Sequence, residues 1–329
     1  MRILLIGAGG MIGRKLATRL AGDGSLRGRP IETLHLVDIL PPPVPDGPPG
    51  RIVAEAADLS APGVPKRLVE GRPDVIFHLA AVVSGEAEVD FDKGYRINLD
   101  GSRALFDAIR AAGGWCPRVV FASSLAVFGP PFPARIPDDY APQPATSYGT
   151  QKLMTELLIN DMTRKGMIDG ISLRLPTICV RPGAPNRAAS GFFSGILREP
   201  LAGLPADLPV PDATRHYFAS PRAAVDFFVH AATMDTSAMD HRRALTMPGL
   251  SATVGDQIDA LRSMAGDGAV RLIRRTSDPL VGGIVAGWGA DYEAARARTL
   301  GFTAETDMIQ ILRAHIEDEL GGRIAEATA

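Results

Sequence analysis

Short apolar runs alternate with segments of helical periodicity through the first half of the chain. The segment after the first run places Ile12, Leu16 and Leu20 on one helical face and ends at Gly22 and Gly24. The apolar runs predict strands at residues 2–6, 33–38, 52–54, 75–79, 118–122 and 171–175. Such alternation is typical of βαβ units, so the sequence predicts an α/β fold, a Rossmann-like, doubly wound parallel sheet.

The second half of the chain is organised differently. Past residue 176 the alternation gives way to Pro- and Gly-rich segments at 181–186 and 200–212, before a helix predicted over 221–234. We expect residues 1–175 to form the sheet domain, to which the chain returns around 213–248. Residues 176–329 are expected to form a smaller, interleaved C-terminal lobe that binds substrate, because loops held by a rigid sheet usually carry binding groups.

Composition and charge exclude several classes of protein. With 35 Lys and Arg against 37 Asp and Glu, the net charge of −2 lacks the basic excess expected of a protein that binds nucleic acid or an anionic membrane. Cys116 and Cys179 form neither a disulfide framework nor a cluster with metal-ligand spacing. No apolar run reaches 18 residues, and the apolar start is too short for a signal peptide. We therefore expect a cytoplasmic protein without a metal site.

A glycine-rich turn follows the first predicted strand and opens the first predicted helix. Glycines in this context let the backbone approach a pyrophosphate, and the helix N-terminus favours its charge. Asp38 ends the second strand, where a carboxylate accepts hydrogen bonds from the adenosine ribose and repels the 2′-phosphate of NADP. The sequence thus predicts NAD as the cofactor, bound by Gly7, Gly10, Met11, Ile12, Gly13 and Asp38. Asp58 and Leu59 are expected at the adenine, although a helix N-cap region with Ser60 explains Asp58 equally well.

A phenol and an ammonium group lie four residues apart at Tyr148 and Lys152, on one face of a predicted helix. A positive charge beside a tyrosine favours the phenolate, which makes the phenol usable as a base. Ser123 and Ser124 end the fifth predicted strand, at the sheet edge where ligands bind in α/β proteins. A serine hydroxyl there can orient a proton transfer.

These motifs resemble the extended short-chain dehydrogenase/reductase family. The resemblance rests on residues 7–13, 78–81, 123–129 and 148–152, together with Asn98. It implies that Ser124 polarises the substrate hydroxyl, that Tyr148 is the general base, and that Lys152 lowers the tyrosine pKa and holds the nicotinamide ribose. Ala80 allows the cofactor close to the sheet edge, and Asn98 steadies the backbone or a water, or caps a helix. Phe128 stands where many relatives have tyrosine.

A finer resemblance within the family, at residues 79–88, 174–183 and 186–190, implies a small sugar acid oxidised at C2. Its carboxylate needs a cation, for which Arg174, Arg187 and Arg215 are candidates. The expected substrate-binding residues are Ser84, Ser124, Tyr148, Thr177, Asn186, Arg187 and Arg215, with His216 as a further hydroxyl contact. Two alternatives stay open at this point: a sugar-nucleotide epimerase or dehydrogenase, and a non-catalytic NAD-sensing protein.

The helix that begins near Tyr148 is expected to turn Leu153 and Leu157 toward the core. A second apolar stripe follows at four-residue steps, formed by Met154, Leu158 and Met162. A dimer contact and a simple core helix explain this stripe equally. The family resemblance implies a homodimer built from the helices near residues 102–112 and 148–162.

Overall fold

Strands and helices alternate along the part of the chain that the computed structural model describes, residues 1–47, 50–183 and 189–325. The strands are β1 (Arg2–Ile6), β2 (Ser25–Leu26), β3 (Arg29–Pro30), β4 (Thr33–Asp38), β5 (Arg51–Ala56), β6 (Val75–His78), β7 (Arg118–Ser124), β8 (Asp169–Leu175), β9 (Thr177–Ile178), β10 (Ala206–Leu208), β11 (Arg215–Ala219), β12 (Ala244–Thr246), β13 (Leu250–Thr253) and β14 (Ile273–Arg275). The α-helices are α1 (Met11–Asp23), α2 (Val64–Val69), α3 (Ser84–Val89), α4 (Phe91–Gly94), α5 (Gly101–Ala112), α6 (Ser147–Arg164), α7 (Gly191–Leu201), α8 (Pro221–Thr233), α9 (Val254–Arg271), α10 (Pro279–Ala286), α11 (Ala295–Thr299) and α12 (Met308–Leu320). A π-helix spans Tyr95–Asp100, and a 3-10 helix spans Leu125–Val127.

Seven parallel strands form the main sheet, in the order β12-β8-β7-β6-β1-β4-β5. From β1 the chain runs outward through β4 and β5 and then crosses back to β6, on the other side of β1. Ligands of such sheets bind at this reversal, outside the carboxyl ends of the strands. The predicted Rossmann-like fold is thereby confirmed, and the reversal places the glycine turn after β1 beside the end of β6.

The predicted strands are all present in this sheet, with modest changes at their ends. Residues 2–6 and 33–38 match the observed bounds, whereas β7 runs two residues further than predicted and β8 begins two residues earlier. The seventh strand, β12, was not among the predicted strands. With only three residues, it is too short to give an alternating or apolar signal in the sequence.

The orientation of α6 differs from the expectation. Leu157 is 59% exposed, whereas Leu158 and Met162 pack into the core. The expectation that Leu157 faces the core was therefore wrong, and most of the second apolar stripe is a core contact. The reason is that the buried face of α6 is largely polar. Besides Gly149, Ile159 and Met162, it contains Gln151, Lys152, Thr155 and Glu156.

The chain divides into two compact units. The first contains Met1–Phe128, Pro142–Leu175 and Val225–Met247, and it holds the seven-stranded sheet. The second contains Gly129–Ala141, Pro176–Ala224 and Pro248–Ala329, of which residues 184–188 and 326–329 lie outside the described part. That the first unit binds the cofactor and the second the substrate stays a prediction.

The second unit has its own sheets and core. β13, β11 and β9 form a three-stranded sheet, and β10 pairs with β14. Phe193, Phe218, Ile258 and Ile311 are among the buried side chains of its hydrophobic core. Across the described residues, no helix combines the length and the apolar character that a membrane crossing requires.

Candidate active site

A tight glycine turn joins β1 to α1. Gly7 has a φ of +90°, and a Cβ at this position would lie 2.5 Å from the backbone nitrogen of Ala80. A Cβ on Gly13 would lie 2.0 Å from the carbonyl oxygen of Gly7. Side chains at either position would push the backbone segments apart. The two glycines therefore keep the turn against the end of β6 and start α1 close to β1.

The N-terminus of α1 presents main chain rather than side chains. Its N-cap is Gly10, and Met11 and Ile12 form the first turn of the helix. The first amide groups of a helix lack intrahelical acceptors, and with the helix dipole they favour an anion. This cradle fits the pyrophosphate of a dinucleotide, and it contains five of the predicted cofactor residues together.

Asp38 lies beside the glycine turn, at the carboxyl end of β4. Its Oδ2 accepts a hydrogen bond from the backbone N–H of Gly9 at 2.8 Å, and its Oδ1 accepts one from Ile39 at 2.7 Å. These bonds fix the carboxylate next to the cradle, where it can face an adenosine ribose. The structure thus brings the glycine turn and Asp38 into one site, as the sequence predicts for a nucleotide pocket.

Asp58 is held by its own neighbours. Its carboxylate accepts hydrogen bonds from the backbone and the hydroxyl of Ser60 and from Arg96, and the Ser60 hydroxyl lowers the pKa of Asp58. Asp58 and Ser60 thus form a turn, whereas α2 begins at Val64 with Gly63 as its N-cap, so the helix N-cap at Asp58 that was the alternative explanation is not observed. Leu59 is buried. Contact of either residue with an adenine stays a prediction.

Asn98 connects the end of β6 to α6. Its amide exchanges two hydrogen bonds with the backbone of Val82, at 2.9 and 3.2 Å, and donates one to Gln151 at 2.7 Å. This bonding corresponds to the steadying role considered for Asn98. His78 packs beneath, 2.8 Å from the Ser102 hydroxyl, and burial lowers the pKa of His78 to about 3. His78 is thus a neutral core residue.

The segment after Ser124 packs closely against the start of α6. A Cβ on Gly149 would lie 2.0 Å from the carbonyl oxygen of Ala126, so only glycine permits this approach. Tyr148 precedes that glycine, and Thr146 caps the helix by accepting a hydrogen bond from the Gly149 N–H. The close approach of Ala126 to Gly149 brings the end of β7 near Tyr148. Ser124 and Tyr148 therefore lie in one neighbourhood.

Ser124 is oriented by the turn that follows it. Its Oγ accepts a hydrogen bond from the backbone N–H of Ala126 at 3.1 Å. An oxygen that accepts in this way keeps its own hydrogen for donation. The Ser124 hydroxyl is therefore suited to donate to an oxygen atom of a bound molecule.

Lys152 lies one turn beyond Tyr148 and is 2% exposed. Its Nζ donates to the carbonyl oxygen of Ala122 at 2.8 Å, and it lies 5.5 Å from the centre of the Tyr148 ring and 4.6 Å from that of Phe121. Burial lowers the pKa of Lys152 to about 7, and the negative charge of Glu156 opposes this effect. Ser124, Tyr148 and Lys152 thus lie in one site, and their catalytic roles stay predictions.

A buried ion pair adjoins this site, and the sequence reasoning missed it. Glu156 accepts hydrogen bonds from the guanidinium of Arg174 at 2.7 and 3.0 Å and from the Ser123 hydroxyl at 2.5 Å. The Arg174 guanidinium also lies 4.9 Å from the centre of the Phe128 ring. Arg174 is therefore engaged with Glu156, which speaks against it as the cation for a substrate carboxylate. The signal in the sequence was the four-residue step from Lys152 to Glu156.

The predicted substrate residues are distributed over both units. Ser84 is exposed at the start of α3. In the second unit, the Thr177 hydroxyl lies 2.6 Å from Nε2 of buried His216, and exposed Arg215 donates to the carbonyl oxygen of Ser251. Asn186 and Arg187 lie outside the described residues. Substrate contacts of all these residues stay predictions. Among the described side chains, no group of three His, Cys, Asp or Glu is arranged to hold a metal ion.

Comparison with known proteins places this geometry in a family context. The sequence profile of the NAD-dependent epimerase/dehydratase family matches residues 3–238. Two similar proteins are D-erythronate dehydrogenases. The one from Cupriavidus necator is 44% identical over 97% of this chain and 98% of its own, and the one from Haemophilus influenzae is 37% identical over 97% and 100%.

Two solved structures have a similar fold. A chain described as a nucleoside-diphosphate-sugar epimerase from Agrobacterium tumefaciens is 60% identical, with a TM-score of 0.97 over 99% of this chain and 96% of its own. An L-threonine dehydrogenase from Cupriavidus necator has a TM-score of 0.82 over 97% and 99% of the two chains. Its identity of 21% shows likeness of fold alone.

Proposed function

This chain belongs to the NAD-dependent epimerase/dehydratase family and is an NAD-dependent dehydrogenase, and from this premise we propose that it oxidises the C2 hydroxyl group of D-erythronate. The product is 2-keto-D-erythronate. The observation that carries the proposal is the similarity to two D-erythronate dehydrogenases over nearly the whole chain. The grouping of Ser124, Tyr148 and Lys152 supports the reaction type.

Removal of a hydroxyl proton and departure of a hydride must be coordinated at C2. When bound, NAD supplies the acceptor for the hydride. The Tyr148 phenolate takes the hydroxyl proton, and the Ser124 hydroxyl donates a hydrogen bond to the same oxygen as it becomes a carbonyl. The ammonium group of Lys152, close to the tyrosine ring, stabilises the phenolate and donates to the nicotinamide ribose.

We propose one set of residues that binds the cofactor and another that binds the sugar acid. The amides at the start of α1 bind the pyrophosphate, and Asp38 binds the adenosine ribose, with Asp58, Leu59, Ala80 and Asn98 around the cofactor. A cation is required for the carboxylate of the sugar acid, which we assign to Arg187 or Arg215. Ser84, Thr177 and Asn186 are proposed to contact its hydroxyl groups.

A sugar-nucleotide epimerase is the second candidate function, because a 60% identical solved chain carries that description. An epimerase returns the hydride to its substrate, so no NADH accumulates. A dehydrogenase releases one NADH for each molecule oxidised. NADH absorbance therefore distinguishes the two functions. A non-catalytic NAD-sensing protein converts neither a sugar acid nor a sugar nucleotide.

The substrate is tested by incubating the purified protein with NAD and a panel of four-carbon sugar acids while following NADH absorbance. We expect turnover of D-erythronate and a product lighter by two hydrogen atoms. A parallel incubation with a UDP-sugar is followed by chromatography of the sugar nucleotide, because an epimerase accumulates no NADH. Conversion of the UDP-sugar with all the sugar acids inert would replace this proposal with the epimerase. If NAD binds and no compound is converted, the sensing protein is favoured instead.

Asp38 is expected to decide between NAD and NADP. Asp38→Asn keeps an oxygen that accepts from Gly9 and removes the charge that repels a 2′-phosphate. We expect the preference for NAD over NADP, measured as the ratio of kcat/KM values, to fall about tenfold. Asp46→Ala, at an exposed carboxylate in the loop after β4, is the control and should leave the ratio unchanged. An unchanged ratio for Asp38→Asn would remove Asp38 from the cofactor site.

The family resemblance implies a homodimer, and we propose that α5 and α6 form its interface. On α6, Leu157 is 59% exposed and Met154 is 42% exposed, which leaves apolar surface available for a partner. Leu157→Glu should reduce the mass seen by light scattering to that of one 34.8 kDa chain. Leu204→Glu, at a leucine 55% exposed in the second unit, should leave the dimer intact. A wild-type monomer contradicts the proposal.

The cytoplasm remains the proposed location. Cys116 is exposed and Cys179 is buried, and both are free thiols. Burial raises the pKa of Cys179 to about 12, so this thiol stays protonated and unreactive. Two free thiols suit a reducing compartment.

A further inference from the structure

The strongest unassigned feature is the buried pair of Glu156 and Arg174 beside the proposed catalytic residues. Glu156 is 1% exposed and Arg174 is 8% exposed. Removing two charges from water costs free energy that their attraction often fails to recover, so such a pair is weak evidence for a role in stability. Its position suggests a different role.

Two consecutive residues at the end of β7 are hydrogen-bonded to α6. The carbonyl oxygen of Ala122 accepts from Lys152, and the Ser123 hydroxyl donates to Glu156. Ser124 follows directly. Since Lys152 and Glu156 are one helical turn apart, the two contacts fix both the position and the rotation of α6 against this strand. Arg174 on β8 adds a bidentate link, because its Nε donates to Oε1 and its Nη2 donates to Oε2 of Glu156.

Glu156 also supplies a charge near Lys152. The titratable and charged groups around Lys152 in the described structure are Tyr148 and Glu156 on α6, neutral His78 on β6 and, through Glu156, Arg174 on β8. Glu156 is the acidic member of this set. With the pKa of Lys152 at about 7, a modest change in nearby charge alters the fraction that is protonated at neutral pH.

We infer that Glu156, held between Ser123 and Arg174, is a positioning residue that keeps the Lys152 ammonium group charged and in register with Tyr148. This inference rests on the proposed function. Arg174 is the counter-ion that sets how much of the Glu156 charge Lys152 experiences. A role confined to packing would depend on the shapes of these side chains and not on the signs of their charges.

Opposite single variants separate these two roles. Glu156→Gln keeps the shape and leaves Arg174 positive, so the titration midpoint of Lys152 should fall by about one pH unit, a tenfold change in proton affinity. Arg174→Met leaves Glu156 negative and should raise the midpoint. The double variant removes both charges and should return the midpoint toward the wild-type value. Ser123→Ala changes a hydrogen bond without changing charge, and it should produce the smallest shift.

The titration can be followed without any substrate. The chain has five lysines, so protein labelled with 13C at lysine Cε gives few resonances, and Lys152→Met identifies the one from Lys152. Lys152 is the buried one of the five, which are Lys15, Lys66, Lys93, Lys152 and Lys165. Thermal melting by circular dichroism establishes that each variant is folded. If Arg174→Met does not fold, the lower Lys152 midpoint in Glu156→Gln and its return in the double variant still distinguish a role of charge from a role in packing.

The pH profile of kcat/KM provides the second measurement. If the reaction needs the Lys152 ammonium, the alkaline limb should move to lower pH in Glu156→Gln and back in the double variant. Midpoints that do not move, or that move in the same direction in both single variants, would overturn the inference. The NMR titration needs no substrate. Failure to oxidise D-erythronate would therefore refute the proposed function, whereas the effect of Glu156 on Lys152 is tested by the titration alone.

Discussion

Tyr148→Phe is expected to lower kcat for D-erythronate oxidation by about 10³-fold or more, because general base catalysis commonly contributes 10² to 10⁴. The substitution removes one oxygen atom and leaves the ring beside Lys152. Binding of NAD, measured by calorimetry, should be nearly unchanged, since the amides of the α1 N-terminus and Asp38 are untouched.

The matched control is Tyr95→Phe, which removes a phenol from the π-helix, where the Tyr95 ring packs at a tilt against Phe91. It should retain kcat within about twofold, as expected of a residue outside the reacting groups. Near-wild-type turnover by Tyr148→Phe would refute Tyr148 as the base. A large loss in both variants would point to disturbed folding instead, which a melting curve would reveal.

Gly13→Ala is expected to weaken NAD binding by about 10²-fold and to lower the free energy of unfolding by about 2–3 kcal/mol. The added methyl group would lie 2.0 Å from the carbonyl oxygen of Gly7 and 2.8 Å from the Cα of Ala8. Both neighbours are backbone atoms, so α1 must move away from β1. That movement separates the helix amides from the turn that forms the cradle.

Gly22→Ala offers a control within the same helix. A Cβ at Gly22 meets no atom within 4 Å, and alanine is favoured over glycine inside a helix by about 1 kcal/mol. We expect this variant to melt at the same temperature as the wild type or slightly above, with unchanged NAD affinity. Equal behaviour of the two variants would show that close packing of α1 against β1 is unimportant for the cofactor.

The sheet and the glycine turn before α1 were predictable because each has a local signature. Strands buried on both faces have short apolar runs as their sequence pattern. In the turn, backbone atoms lie so close to Gly7 and Gly13 that no other residue fits without displacing them. The same holds for the stop of α1, where Gly24 adopts a φ of +61°. In these places local preference and tertiary structure agree.

The buried face of α6 could not be predicted, because in this helix the local sequence preference and the tertiary structure disagree. A helix ordinarily buries its apolar stripe, but α6 buries Lys152 and Glu156 and leaves Leu157 at the surface. Those polar residues are buried because partners on β7 and β8 complete their hydrogen bonds, and these partners lie far away in the sequence. The network around Glu156 therefore became visible only in the structure.

The proposed substrate residues were the least predictable part of the site. Those in the described structure lie on short elements, Ser84 on α3, Thr177 on β9 and Arg215 on β11, whose few residues carry no periodicity that indicates a contact. Thr177 illustrates the difficulty, because its hydroxyl lies against buried His216, 39 residues later in the chain. Such contacts depend on the path of the chain, and the sequence around either residue contains no pattern that predicts them.

Burial of Lys152 has a thermodynamic price for the whole fold. Its pKa falls from an ordinary 10.5 to about 7, so between these values the unfolded chain holds a proton that the folded chain has released. By linkage, the free energy of unfolding then rises with pH across this interval. At neutral pH and below, the folded protein carries an unfavourable contribution from this residue alone. The lysine proposed to act in catalysis is kept out of water and thus makes the molecule less stable than its core would allow, which is a trade-off between the proposed activity and stability at a single position.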